Sequence, residues 1–263
     1  FMKYIDIGVN LTNPSLIKDL GGVMRRAHDA GVEQMVVTAS NIEASTQAIE
    51  LCQKYPDALV CTVGIHPHHA SDWMNHTPNK IQLLSENACV RAIGETGLDF
   101  NRNYSPRDAQ VAAFRAQLEL AIALEKPVFA HQRDAHDTFV EILREYRTRL
   151  SRIVVHCFTD SRAALLDYLD LDCHIGITGW ICDERRGLAL QQLVSLIPAQ
   201  RLMVETDAPY LLPRDLPIKP ASRINEPAYL PHIIKSIARH AHKEVDQLAG
   251  ECLKTSRLFF GIC

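Results

Sequence analysis

No apolar run in the 263-residue chain approaches the length of a membrane span. The first residues lack the basic-then-apolar order of a secretory signal. Positive charge is not in excess: 28 Lys and Arg stand against 31 Asp and Glu, for a net charge of −3. That balance disfavours a protein that coats long stretches of nucleic acid. It leaves room for a small anion-binding pocket, where local charge counts for more than the total. Cys52, Cys61, Cys89, Cys157, Cys173, Cys182, Cys252 and Cys263 form no Cys-x-x-Cys and mostly lie in or beside apolar runs. They are expected to be reduced thiols of a cytoplasmic protein, not a disulfide set or a zinc knuckle. No Gly-x-Gly-x-x-Gly follows the first apolar run, and there is no internal repeat or low-complexity segment.

What is present is alternation. Strands are expected over 2–9, 34–39, 58–65, 90–95, 128–131, 152–156, 173–177 and 202–206. Helices are expected over 15–30, 42–55, 78–86, 135–149, 161–169, 184–196, 230–241 and 245–260. A further long helix runs to Leu124, with Ser105 as N-cap and Pro106 at its first position. Gly31 reads as a helix stop. The strand segments are short and apolar nearly throughout, as strands buried on both faces should be. Eight strands alternating with helices without a linker predict a single domain over 1–263, an α/β fold of the (β/α)8 TIM-barrel type. A doubly wound open sheet is the competitor, and the missing glycine fingerprint counts against it.

Four apolar runs end in residues of metal-ligand type: Glu95, His131, His156 and the Glu205-Thr206-Asp207 stretch. A carboxylate there is costly to desolvate unless a positive group faces it. In a barrel these ends converge on one mouth, which brings Glu95, His131, His156 and Asp207 face to face, with His66 and Glu205 near the same rim. Mixed imidazole and carboxylate donors suit zinc, manganese or nickel, and magnesium where carboxylates and water dominate. Gly94 and Gly97 read as positions where metal and phosphate approach the backbone closely. His68, His69 and His76 read as solvated loop residues, His232, His240 and His242 as surface, and His136 as a cap or a support. Arg102, Arg133, Arg162, Arg185, Arg186, Arg214, Lys219 and Arg223 fall in the loops on the ligand-bearing face, as do Phe100, Tyr104, Phe158, Trp180 and Tyr210. Together they suit phosphate contacts and base stacking, although any single aromatic there packs its loop more often than it stacks a base.

The blocks Gly64-Ile65-His66-Pro67-His68, Gly94-Glu95-Thr96-Gly97-Leu98-Asp99, His131-Gln132-Arg133-Asp134-Ala135, His156-Cys157-Phe158 and Glu205-Thr206-Asp207-Ala208-Pro209-Tyr210 resemble the signatures of the TatD family of metal-dependent deoxyribonucleases. These are amidohydrolase-like barrels, and the match runs from Asp6 to the last helix. The resemblance implies that Glu95, His131 and His156 bind metal and that Asp207 is a further ligand or the general base. It places His66 and Glu205 at the scissile phosphate or behind the ligands, with Glu205 grouped with Asp207 in catalysis. Arg133 and Asn10 are expected to touch substrate. Asn101-Arg102-Asn103 and Gly179–Arg186 are similar to a bacterial branch that is cytoplasmic, magnesium-dependent, acts 3′ to 5′ on single-stranded DNA and RNA, and is linked to DNA repair. Many members carry Asp-x-His-x-His on the first strand, where this chain has Asp6-Ile7-Gly8-Val9-Asn10. That departure points to magnesium, with manganese or zinc behind it, and counts against a two-metal mechanism without fixing the number of ions. The expected protein is a monomeric nuclease with single-stranded DNA or RNA as its partner and no membrane contact. The enzyme alternative is an amidohydrolase or lactonase on a small substrate, and the non-enzymatic one is a barrel that only binds.

Overall fold

The computed structural model describes residues 2–262; Phe1, and Cys263 with its expected free thiol, lie outside them. The strands are β1 (Tyr4–Val9), β2 (Val32–Val37), β3 (Leu59–Val63), β4 (Val90–Asp99), β5 (Val128–Arg133), β6 (Ile153–Val155), β7 (His174–Ile177) and β8 (Leu202–Val204). The α-helices are α1 (Pro14–Ile17), α2 (Leu20–Asp29), α3 (Ile42–Lys54), α4 (Thr77–Leu84), α5 (Arg107–Ala123), α6 (His136–Tyr146), α7 (Arg162–Asp170), α8 (Leu188–Leu193), α9 (Leu230–Ala241) and α10 (Val245–Phe260). Strand order follows chain order from β1 to β8 in one eight-stranded sheet. A doubly wound sheet reverses its order at a switch point, so the class is the (β/α)8 barrel that the alternation predicts.

Contacts divide the chain into two compact units. One comprises Thr38–His156 with Ala163–His174. Its parallel registers are Cys61↔Val90, Ile93↔Val128 and Ala130↔Val155. The apolar run Ile153–Val155 is buried at every residue, as a strand covered on both faces requires. Helix α3 packs on β3 and α5 on β4. Phe114 and Phe139 stack with centroids 5.1 Å apart, and with Phe129 and Tyr168 they fill the interior.

The other unit holds the chain up to Val37, Cys157–Arg162 and the residues from Ile175 on. Here Ile177 pairs with Val204, and Asp6 with Met35. Beyond β8 the backbone continues along β1: Asp207 N–H donates to Gly8 O at 2.9 Å, and Val9 bridges Ala208. Helix α10 covers β8 and β1.

Three expectations change. The helix expected over 15–30 breaks at Lys18–Asp19. The Asp19 carboxylate turns back over Gly22, where a Cβ would come within 2.4 Å of it, and accepts from Arg26 at 3.1 Å. Ser105 is not an N-cap: Pro106 holds that position, and the Ser105 hydroxyl donates to His68 O and accepts from Ser71 N–H. The helix expected over 184–196 shortens to Leu188–Leu193 with a 3-10 turn after it, because Asp183 collects the N–H groups of Arg185 and Arg186 in a tight turn first.

Candidate metal centre

Strand β4 does not stop at Glu95 but runs on to Asp99. Its pairing with β5 slips between Gly94 and Thr96, so Glu95 sits on a bulge. Gly94 (φ +151°) and Gly97 (φ +143°) take a backbone conformation that side chains rarely allow. A Cβ on Gly94 would lie 2.2 Å from Phe129 O, and one on Gly97 1.9 Å from His131 O. The glycines therefore admit the β5 backbone; the close approach expected for metal and phosphate belongs to that strand. Their effect is to bring His131, paired with Gly97, alongside Glu95.

Glu95 Oε1 is 2.7 Å from His156 Nε2, 3.1 Å from His131 Nδ1 and 3.3 Å from His66 Nε2. His131 Nδ1 and His156 Nε2 are themselves 3.3 Å apart. Burial opposes the charge on Glu95, but the charges of His156 and His66, with the adjacent His131 ring and a hydrogen bond from His156, hold its carboxyl well below the usual range. His131 moves the other way: burial lowers it, and Asp99 and Glu95 together outweigh burial and raise it. Burial pushes His66 down to about 4 against the pull of Glu95.

The two faces of His66 are distinguishable. Its Nδ1 accepts from His68 N–H at 3.0 Å. In a neutral ring the proton is then on Nε2, which makes that atom a donor toward Glu95 and not a lone pair for a metal. His66 belongs to the same cluster as Glu95 and His131, yet its tautomer suits an anionic oxygen of a substrate. His131 is the reverse. Its Nε2 faces Asp99 Oδ2 at 3.4 Å, off the alignment of a full hydrogen bond. A proton there leaves Nδ1 with its lone pair aimed at Glu95, the order of a carboxylate–histidine–metal relay.

Glu95 Oε1, His131 Nδ1 and His156 Nε2 thus converge at 2.7–3.3 Å from one another. Electron-rich atoms at that spacing need a proton or a cation between them. Ligands at 2.0–2.1 Å from a zinc- or magnesium-sized ion lie about 3.0–3.4 Å apart. The residues present therefore fit a divalent ion.

Several supports of this centre went unread in the sequence. Asp99 Oδ2 accepts from His68 Nε2 at 2.9 Å, so His68, expected in solvent, is half-buried against a carboxylate. Burial opposes the charge of Asp99, but the facing His131 imidazole, with hydrogen bonds from the Arg102 backbone and His68, holds it well below the usual range. Two buried glutamines seven residues apart on α5 clamp the backbone on either side. Gln110 accepts from Asp99 N–H at 2.8 Å and donates to Asp99 O at 3.1 Å. Gln117 accepts from Ile65 N–H at 2.8 Å and donates to Ile65 O at 3.0 Å, which fixes the residue before His66. His136 caps nothing; it reaches Tyr168 and Asp167 at 3.0 and 2.9 Å and ties α6 to α7.

The remaining expected residues lie in the unit of β1 and β8. Asn10 donates from Nδ2 to Asp207 Oδ1 and to Ala208 O, both at 3.1 Å. Asp207 has a positive φ of 54°, in the left-handed region. Glu205 is fully buried, and its Oε1 accepts from Cys157 N–H at 2.6 Å. Asp6, not singled out in the sequence, is fully buried beneath this loop and accepts from Gly8 N–H, Thr206 N–H and the Thr206 hydroxyl.

The positive rim is partly neutralised. Arg186 pairs with Asp183 at 2.8 Å and Arg214 with Glu184 at 2.9 Å, and Arg185 lies 3.7 Å from Asp183. Arg102, Arg133, Arg162, Lys219 and Arg223 are exposed, Arg133 at the end of β5. Phe158 is 2% exposed and belongs to the interior, whereas Tyr104 and Tyr210 are more than half exposed. Arg186 covers Trp180 and Arg107 covers Phe100 at 4.3 and 4.4 Å.

A carboxylate and imidazoles converging on the strands of a (β/α)8 frame are the arrangement of a metal-dependent barrel hydrolase. The chain belongs to the TatD-related DNase family, whose profile matches residues 5–261. It is 49% identical over 257 residues to a protein of Erwinia amylovora named 3′-5′ ssDNA/RNA exonuclease TatD, covering 98% of this chain and 99% of that one. A protein of the same name from Citrobacter rodentium is 50% identical, with 98% and 97% covered. Among solved structures, the TatD homologue YJJV of Escherichia coli K12 superposes with a TM-score of 0.89 at 26% identity, covering 99% and 98% of the two chains.

Proposed function

We propose that this chain is a metal-dependent nuclease that removes nucleotides from the 3′ end of single-stranded DNA and RNA, with residues 1–263 acting as one hydrolase domain. The observation that carries the reading is identity of about half, over nearly the whole length, to proteins of that activity. The convergence of Glu95, His131 and His156 supports it.

In this reading Glu95 Oε1, His131 Nδ1 and His156 Nε2 hold the ion, with Asp207 as a further ligand. A bound divalent ion polarises a phosphoryl oxygen and lowers the pKa of water. Asp99 keeps the His131 proton on Nε2 so that Nδ1 faces the ligands. His66 donates from Nε2 to a non-bridging oxygen of the scissile phosphate, its Nδ1 held by His68 N–H. Asp207, oriented by Asn10, takes the proton of the attacking water, with Glu205 behind it. Exposed Arg133 contacts the phosphate of the terminal nucleotide. Magnesium is the ion proposed, since Gly8 and Asn10 replace two first-strand imidazoles. The two imidazoles that remain in the set make manganese and zinc the ions to compare with it. The test is 3′-labelled single-stranded DNA incubated with each ion and with chelator. Stepwise shortening from the 3′ end that chelator abolishes is expected; no shortening with any divalent ion overturns the reading.

A further inference from the structure

Three cysteines that are far apart in the chain meet in the unit of Thr38–His156. Cys52 lies on α3, Cys61 on β3, and Cys89 immediately before β4, and their sulfurs all lie within 4.8 Å of one another. Two are buried and Cys89 is half-buried. The backbone fixes the arrangement: Cys61 N–H donates to Cys89 O at 2.9 Å, and Cys61 pairs with Val90 in the sheet. The group sits at the start of β4. The metal centre begins at Glu95, five residues on, about 16 Å along an extended strand.

We propose that Cys52, Cys61 and Cys89 form a second, independent site that binds one soft thiophilic cation of the copper(I) type through three thiolates. Sulfurs around an ion at about 2.3 Å stand about 4 Å apart, so a contraction of at most about 0.8 Å from the 4.8 Å bound on the observed spacing is enough. No fourth His, Cys, Asp or Glu joins the cluster among the described residues. That favours a three-coordinate ion over zinc, which takes four ligands in closed sites. Soft sulfur donors select such an ion, whereas the nitrogen and oxygen donors at Glu95 select harder ones.

Charge points the same way. Three thiolates with a monovalent ion leave two negative charges, and two cations stand by. Lys126 Nζ donates to Val90 O at 2.7 Å, next to Cys89, and feels the Cys61 and Cys89 thiols. Arg91 acts on Cys89 directly, and its buried Nε has no hydrogen-bond partner among the described residues. The neighbouring thiols of Cys52 and Cys61, with the Arg91 charge, pull the Cys89 thiol down, while the neighbouring thiols of Cys52 and Cys89, with burial, push Cys61 up. Cys89 is half-buried where Cys52 and Cys61 are buried, so it is the thiol that an ion arriving from solvent meets first. Loading then releases the protons of Cys52 and Cys61.

The test loads the full chain with copper(I) under argon and then challenges it with a copper(I) chelator. Wild type is expected to keep one equivalent, with sulfur-only coordination by X-ray absorption. Cys89→Ser and Cys52→Ala, each checked for a native far-UV spectrum and melting curve, are expected to lose that equivalent. Cys182→Ser, in the other unit, is expected to retain it. Equal retention by the Cys89 and Cys52 variants overturns the proposal. So does a protein in which two of these cysteines are already joined in a disulfide as isolated.

Discussion

Asp6 allows a prediction whose size follows from its surroundings. Burial raises its carboxyl from an ordinary 3.8 to about 7, against the hydrogen bonds it accepts from Thr206 and Gly8. Between those pH values the folded chain binds a proton that the unfolded chain has released. Stability from this group is therefore present below pH 3.8 and is lost as pH rises toward 7. The difference corresponds to about 4 kcal/mol by the pH at which the buried carboxyl is fully charged. Replacing Asp6 with Asn keeps an acceptor for the N–H groups of Gly8 and Thr206, and the Thr206 hydroxyl turns to accept from the new amide. Urea unfolding at a series of pH values from 5 to 8 reads the result. Wild type is expected to lose stability across that range more steeply than Asp6→Asn, with a difference in slope approaching about 1 kcal/mol per pH unit. Parallel profiles for the two proteins would refute the assignment of a raised carboxyl at Asp6.

Gly97→Ala places a methyl within 1.9 Å of His131 O at a φ of +143°, and is expected to cost roughly 2–5 kcal/mol of stability in chemical unfolding; a change under about 1 kcal/mol would contradict the close-approach argument. Gln117→Ala strips the buried N–H and C=O of Ile65 of their partners and is expected to cost about 2–5 kcal/mol, with a fall in nuclease rate through His66 even where the protein remains folded. Asp99→Asn weakens the anchor of His131 Nε2 and His68 and is expected to lower manganese affinity about 10–100-fold by calorimetric titration; unchanged affinity removes Asp99 from the support of the metal.

The alternation of apolar runs with helical segments made the fold class legible, because each strand's period and length are local properties. That Glu95, His131 and His156 would meet was legible for a related reason: a polar ligand-type residue at the end of a buried strand is conspicuous against its own run. What escaped was set by distant partners. His68 meets Asp99 across 31 positions, and Gln117 meets Ile65 across 52. Nothing near His68 in the chain announces a carboxylate. The apolar pattern of β4 fails at Glu95, yet pairing with β5 carries the strand to Asp99 through two glycines whose conformation the neighbouring backbone explains. The pairing of Arg186 and Arg214, expected to serve phosphate contacts, escaped because their partners, Asp183 and Glu184, sit in a tight turn at the start of an expected helix.

The central claim is that Glu95 anchors a catalytic divalent ion. Glu95→Gln keeps the shape of the side chain and removes the charge that His131 and His156 converge on. Initial rates on 3′-labelled single-stranded DNA at saturating magnesium, and again at saturating manganese, are expected to fall at least about a hundredfold with the melting temperature unchanged or raised. A variant that shortens the strand at near wild-type rate with either ion would contradict the account.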